Sequence, residues 1–245
     1  MKTLFLDIET APNIAHVWGL WDQNVSVNQL MESSYTMCWA AKWAGEKGVL
    51  FDSTYQSSAK HMVRGVHKLL DAADVVVHYH GSAFDIPTVN KEFLIHGLPP
   101  PSPVKQIDLL KVVKEKFRFP SNKLDYVSQR LGLGKKFEHE GHSLWVKCMN
   151  NDPIAWKQME EYNKHDVILL EGLYYRVRPW IKGHPNSALL EGGQQCPTCN
   201  SLRYHKRGFA YTNSYQYQRY QCLDCSAWFR GNKSLNKRGE KFVGL

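Results

Sequence analysis

The chain has 245 residues, 43% of them hydrophobic and 22% charged, with a formal net charge of +8. Such a length fits one ordinary domain plus a small appendage, and the apolar content is enough for a core, so disorder is not the default reading. No apolar run reaches the roughly 20 residues that span a bilayer, and Asp7 and Glu9 interrupt the N-terminal segment where a signal peptide needs an apolar stretch, so a cytoplasmic protein without membrane contact is expected.

In chain order, Lys2 to Ile8 reads as a buried strand, followed by a Trp-bearing excursion from Ala11 to Ser34 with no clear period. Tyr35 to Ala44 and Gly48 to Ser53 are strand candidates either side of the turn Gly45-Glu46-Lys47, which suggests an antiparallel meander. Lys60 to Leu70 has helical spacing, and Asp74 to His78 is a short apolar run of the central-strand kind, so a parallel crossover is expected there. Asp85 to His96 reads as a helix stopped by Gly97, with Pro99 to Pro103 as a rigid connector. Helices are expected over Leu109 to Lys116 and Lys123 to Leu131, and the longest pattern runs from Pro153 at a first-turn position to about Tyr175. The sum is an α/β fold, a mixed sheet flanked by helices. The glycine- and proline-bearing stretch Pro179 to Gln195 reads as a linker, giving a domain over 1–180, a linker over 181–194 and a small β domain over 195–245.

Charge and cysteines set the last quarter apart. From Ile181 onward ten basic residues face three acidic ones, so +7 of the +8 lies there, as a polyanion partner such as nucleic acid would require; a solvated basic tail is the plainer alternative. Cys196, Cys199, Cys222 and Cys225 form two Cys-x-x-Cys knuckles, the format of a closed, structural Zn²⁺ site with four thiolates, whereas a redox dithiol would not need the duplication. Cys38 and Cys148 read as ordinary semi-buried residues. Arg203, Lys206, Arg207 and Arg219 alternate with Tyr215, Tyr217 and other aromatics between the knuckles, a mixture that can grip phosphates and stack bases, although some of these rings must form the ribbon's own core.

Three carboxylate motifs stand out in the larger part. Asp7 and Glu9 are two apart on a strand and share a face, where they repel unless a cation lies between them. Asp85 follows His80-Gly81-Ser82-Ala83-Phe84 directly after the valine-rich strand, and Tyr162 and Asp166 are one helical turn apart. Each alone has an ordinary explanation: an exposed strand pair, a helix cap, two residues on a common helix.

Taken together, Asp-Ile-Glu-Thr, Gly-Ser-Ala-Phe-Asp and Tyr-x-x-x-Asp resemble, in order and spacing, the three motifs of the DEDD exonuclease superfamily over roughly Met1 to Arg178. Ile107-Asp108-Leu109 and Lys123 to Gly132 also look like the segment before the last motif in ribonuclease-H-like exonucleases and in family B polymerase proofreading domains. Glu161 stands where the histidine subclass carries its histidine, whereas Tyr162 matches the tyrosine subclass. The resemblance implies a ribonuclease-H-like sheet and a 3′→5′ exonuclease in which Asp7, Glu9, Asp85 and Asp166 hold two Mg²⁺ or Mn²⁺ ions. Tyr162 would orient the attacking water, and Glu9 would also receive the terminal 3′-hydroxyl. One departure is His80, where relatives often carry Asn; it is a candidate for contact with the substrate, and Trp18 and Trp21 are candidates for stacking on the last bases. Single-stranded DNA or DNA 3′ ends are the favoured partner and RNA a possible one. Compact chains of this layout resemble those of bacteriophages, which would place the protein in a bacterial host cell. The alternatives are an exoribonuclease of the same fold, a non-catalytic zinc-ribbon binding protein and a transposase-like nuclease that cuts internally.

Overall fold

The computed structural model describes residues 1–236, without the side chains of residues 190 and 191. Contacts divide the chain into two compact units, one of Lys2–Tyr174 and one that runs from Tyr175 on.

The first unit is built on a sheet of five strands: β1 (Thr3–Thr10), β4 (Thr36–Trp43), β5 (Leu50–Ser53), β6 (Val75–His78) and β7 (Lys105–Asp108), in the order β5-β4-β1-β6-β7. Strands β1, β4 and β5 form the expected antiparallel meander, and β6 and β7 lie parallel on the other side of β1. β1 is central and buried on both faces as far as Leu6, which is why it reads as a continuous apolar run rather than an alternating one. Its even-numbered Leu4, Leu6 and Ile8 enter a core with Met62, Val63, Val66 and Leu70 of α1 (Ala59–Ala72) and Val89 and Phe93 of α2 (Asp85–Ile95). Phe5, on the opposite face, meets the ring of Tyr174 edge-on at 5.4 Å.

That opposite face is covered by the longest helix, α6 (Pro153–Val177). Asp152 accepts from the backbone N–H groups of Ile154 (2.8 Å) and Ala155 (3.2 Å), so a carboxylate cap and a first-turn proline start the helix. Its stripe of Met159, Tyr162, Asn163, Asp166, Leu170 and Leu173 is buried, and the division between the two contact units falls within α6, between Tyr174 and Tyr175. Between β7 and α6 run α3 (Leu109–Lys116), α4 (Leu124–Arg130) and α5 (His142–Met149). Helix α5 was not foreseen: two turns behind Gly141 are too short to show a period. The excursion after β1 contains a small antiparallel pair, β2 (Ile14–Ala15) with β3 (Leu30–Glu32).

The second unit carries an antiparallel sheet in the order β10-β9-β8, made of β8 (Tyr204–Tyr211), β9 (Gln216–Cys222) and β10 (Trp228–Ser234). The stretch read as a linker holds a short 3-10 turn at Ser187–Glu191. The basic tail residues Lys237, Arg238 and Lys241 lie outside the described residues. Among the described residues, no helix is long and apolar enough to cross a membrane.

Candidate active site

At the end of β1 the side chains of Asp7 and Glu9 leave on the face covered by α6, where Asp166 meets them: one carboxylate oxygen from each of the three lies within 4.8 Å of the others. Asp166 is 2% exposed, and its Oδ1 has no hydrogen-bond partner. Asp85 closes the group from the other edge of β1. Pairing of β1 with β6 ends at Phe5, so the N–H of Ile8 is free of the ladder and donates instead to Asp85 Oδ1 at 3.2 Å. Asp85 is therefore not the cap of α2, a place taken by Phe84.

Packing four carboxylates here raises their pKa values. Burial, then the charges of Asp166, Asp85 and Glu9, push Asp7 well above the usual carboxylate range, with Lys136 opposing. Burial, with Asp166 next, lifts Glu9 to about 8, and burial lifts Asp85 to about 7 although its own N–H and that of Ile8 hold it down. Burial also raises Asp166 against the pull of Lys136. A buried cluster of repelling oxygens with an orphaned acceptor is suited to hard divalent cations, so these residues fit Mg²⁺ or Mn²⁺.

Sequence reasoning missed four neighbours, Lys136, Asn163, Trp145 and His139. Lys136 donates to the Asp166 carboxylate and, at 3.2 Å, to the Tyr162 oxygen, with its Nζ 5.2 Å from the centre of the Tyr162 ring. It comes from the irregular segment between α4 and α5, pinned where the Lys136 N–H donates to Asp125 Oδ1 at 2.8 Å. Asn163, fully buried, donates from Nδ2 to Asp7 Oδ2 at 2.6 Å. Trp145 of α5 packs edge-on against Tyr162 at 5.9 Å, as does His139 at 4.7 Å, and Trp145 also holds the Glu9 pKa down. Burial, and then the charges of Glu9, Asp166 and Asp7, raise the Tyr162 phenol, so it stays protonated at neutral pH. Position alone could have offered Asn163, inside the Tyr-x-x-x-Asp motif; nothing local could have offered Lys136. His165 turns away, its Nε2–H donating to the Lys135 carbonyl at 2.7 Å.

The turn that delivers Asp85 is held by Asp108 at the end of β7. Asp108 accepts from the His80 N–H at 2.9 Å, the Ser82 hydroxyl at 2.6 Å and the Leu110 N–H at 3.1 Å. His80 has φ 71°, in the left-handed region that Asn and His enter more readily than most residues. A groove of about 420 Å³ beside Asp7 is lined by Tyr79, His80, Lys123 and Lys136, among others. Trp18 and Trp21 are 98% and 84% exposed, so they do not pack against the domain.

In the second unit the four cysteines come together, with Sγ separations of 3.7 Å between Cys196 and Cys225 and 3.6 Å between Cys199 and Cys222. Zinc–sulfur bonds of ~2.3 Å put tetrahedral neighbours roughly 3.8 Å apart, so the geometry fits one Zn²⁺. The knuckles are alike: Asn200 and Ser226, each just after the second cysteine, both adopt positive φ (62° and 64°). Burial works against ionisation of Cys222, but N–H groups of Cys225 and Asp224 and the neighbouring thiols outweigh it and bring the thiol to about 7. Arg203 is paired with Asp224 at 2.8 Å, and Lys206, which stands opposite Tyr220, shares a face with the ribbon's aromatic core.

A five-stranded mixed sheet in which β4 alone runs antiparallel to β1, with an acidic cluster at the end of β1, defines the ribonuclease-H-like class. The family model of the RNase H superfamily matches residues 4–178, and the chain belongs to that superfamily. Among solved structures it is similar to the family B DNA polymerase from the hyperthermophilic archaeon Pyrobaculum calidifontis, at 16% identity and a TM-score of 0.55, over 87% of this chain and 31% of that one. The chain thus spans less than a third of the polymerase, and the likeness is one of fold. Comparison with the curated proteins gives no match.

Proposed function

We propose that the chain is a metal-dependent 3′→5′ exonuclease of the tyrosine type, acting on DNA 3′ ends. The observation that carries this reading is the convergence of Asp7, Glu9 and Asp166 within 4.8 Å, with Asp85 charge-coupled to them and Tyr162 one turn from Asp166. Asp7, Glu9, Asp85 and Asp166 would hold two Mg²⁺ or Mn²⁺ ions, which supply Lewis acidity to the attacking water and to the departing 3′ oxygen. Tyr162, protonated and fixed by Trp145 and His139, orients the water through its hydroxyl. Asn163 fixes the Asp7 carboxylate, and Lys136 holds positive charge beside Asp166, where the scissile phosphate would bring negative charge. Glu9 accepts from the terminal 3′-hydroxyl, and the groove past His80 and Lys123 receives the last nucleotide. In the second unit one Zn²⁺ on Cys196, Cys199, Cys222 and Cys225 holds a ribbon that helps bind nucleic acid.

The test is digestion of matched 5′-labelled single-stranded DNA and RNA with Mg²⁺ or Mn²⁺, with Asp7→Ala alongside. A metal-dependent ladder that shortens from the 3′ end and falls at least ~10³-fold in the variant is expected. A ladder from the 5′ end, internal cuts in a closed circle, or an unaffected variant would sink the reading; a ladder on RNA alone would move the substrate to RNA.

A further inference from the structure

The ribbon sheet has two unlike faces. On one, the rings of Tyr204, Tyr220 and Phe229 pack at 5.4–5.5 Å and form the ribbon's own core beside the cysteines. The register gives the other face: Trp228 stands opposite Gln221 and Arg230 opposite Arg219, so Trp228 and Arg230 share it with Arg219 and, two residues back on β9, with Tyr217. Arg207 joins from the irregularity between Lys206 and Phe209 on β8.

The side chains on this face are interleaved. The guanidinium carbons of Arg219 and Arg207 lie 5.0 and 5.7 Å from the centre of the Trp228 ring, and that of Arg230 lies 3.8 Å from the centre of Tyr217. Arg219 is held by its Nε–H, which donates to the Arg207 carbonyl at 2.9 Å and leaves four of its N–H donors. Trp228 is 50% exposed, and Arg207, Arg219 and Arg230 are exposed. None of the three arginines is paired with a carboxylate among the described residues; Asp224, at the second knuckle, is taken by Arg203 and Ser201.

Three unneutralised guanidiniums on one small sheet repel each other, a cost that a polyanion removes. Phosphate alone would need no rings beneath the arginines. A half-exposed tryptophan with two guanidiniums within 6 Å of its ring centre suits unpaired bases, whose faces a duplex hides. We propose that the face formed by Arg207, Tyr217, Arg219, Trp228 and Arg230 is a binding site for single-stranded nucleic acid, with bases stacked on Trp228 and Tyr217 and phosphates on the arginines. It rests on the nuclease reading only in taking the bound strand to be the enzyme's substrate.

The test uses the full zinc-loaded chain carrying Asp7→Ala, so that the strand survives, and fluorescence anisotropy of a labelled oligo-dT of about 20 nucleotides, with a duplex of equal length beside it. Trp228→Leu should weaken strand binding about 5- to 100-fold, and Trp228→Phe should recover most of it. Arg207→Gln with Arg219→Gln should lower the slope of log affinity against log salt by about 1.4. Zinc content and circular dichroism, unchanged from the parent, show that each variant folds. Parent-like binding by Trp228→Leu and by the arginine pair, a duplex held as tightly as the strand, or displacement by poly-glutamate at equal charge would each overturn the proposal. Hydrolysis of p-nitrophenyl thymidine 5′-monophosphate by the chain with Asp7 intact reads the carboxylate site alone. If that hydrolysis is absent while strand binding still depends on Trp228, the nuclease reading fails and this one stands.

Discussion

Among the residues, Lys136 is the cation that lets the carboxylates share one place in the absence of metal. Its partner Asp166 is almost wholly buried, while its own side chain is 31% exposed, so removing it leaves a poorly compensated charge. Lys136→Met should destabilise the metal-free protein by about 1–3 kcal/mol, and saturating Mg²⁺ should restore most of that loss; urea denaturation with and without Mg²⁺ measures both. Equal stability in the two proteins would mean that water already screens the cluster. Burial of the carboxylates also gives a pH dependence. Glu9 at about 8 and Asp85 at about 7 lie above their unfolded values, so the folded chain binds more protons than the unfolded one up to those values. The stabilisation is therefore complete below the unfolded pKa of about 4 and is lost as pH rises toward 8. Calorimetry on zinc-loaded protein without Mg²⁺ should show Tm falling from about pH 5 to about pH 8, and excess Mg²⁺ should flatten that fall because it binds the ionised carboxylates.

At the level of elements, the turn between β6 and α2 is the tightest joint in the site. A Cβ on Gly81 would lie 2.5 Å from Cγ of the buried His78 ring, too close for either to remain in place. Gly81→Ala should cost about 1–3 kcal/mol in a urea melt and should lower kcat through displacement of Asp85. A variant with parental stability and rate would show that His78 can move aside. Asp108 works on the same turn from the neighbouring strand, through His80 and Ser82. Helix α6 supplies Tyr162, Asn163 and Asp166 from one stripe, so its pitch, rather than any loop, sets their spacing.

For the whole molecule, the two units draw stability from different sources. The first has a continuous core around β1, whereas the ribbon has little beyond Cys196, Cys222, Ala227 and the rings packed near them. With so small a core, metal binding is folding free energy. Stripping zinc with a strong chelator should therefore expose the chain beyond Tyr175 to protease while Lys2–Tyr174 stays resistant, with about one zinc released per chain by mass spectrometry. Equal resistance of both parts would show that the ribbon folds without the metal.

How much of this could be read beforehand depends on whether a feature is local. Asp7 with Glu9 and Tyr162 with Asp166 are set by periods of two and four residues, which fix a shared face before any tertiary contact forms, and each cysteine knuckle by a separation of three within one turn. The order of strands and helices likewise followed from apolar runs and their breakers, which is why the mixed sheet flanked by helices was legible. Lys136, Trp145 and Asp108 enter the site from a loop, a two-turn helix and a strand end far away in the chain, and only the folded path brings them to the carboxylates. Arg203, Lys206, Arg207 and Arg219 looked equivalent in composition, yet strand register sends Lys206 to one face and Arg219 to the other, ties Arg203 to Asp224, and adds Trp228 and Arg230. The sequence by itself determined which groups are candidates for the chemistry; the tertiary structure decided which stand together, because register and loop path are set by long-range packing and not by neighbours in the chain.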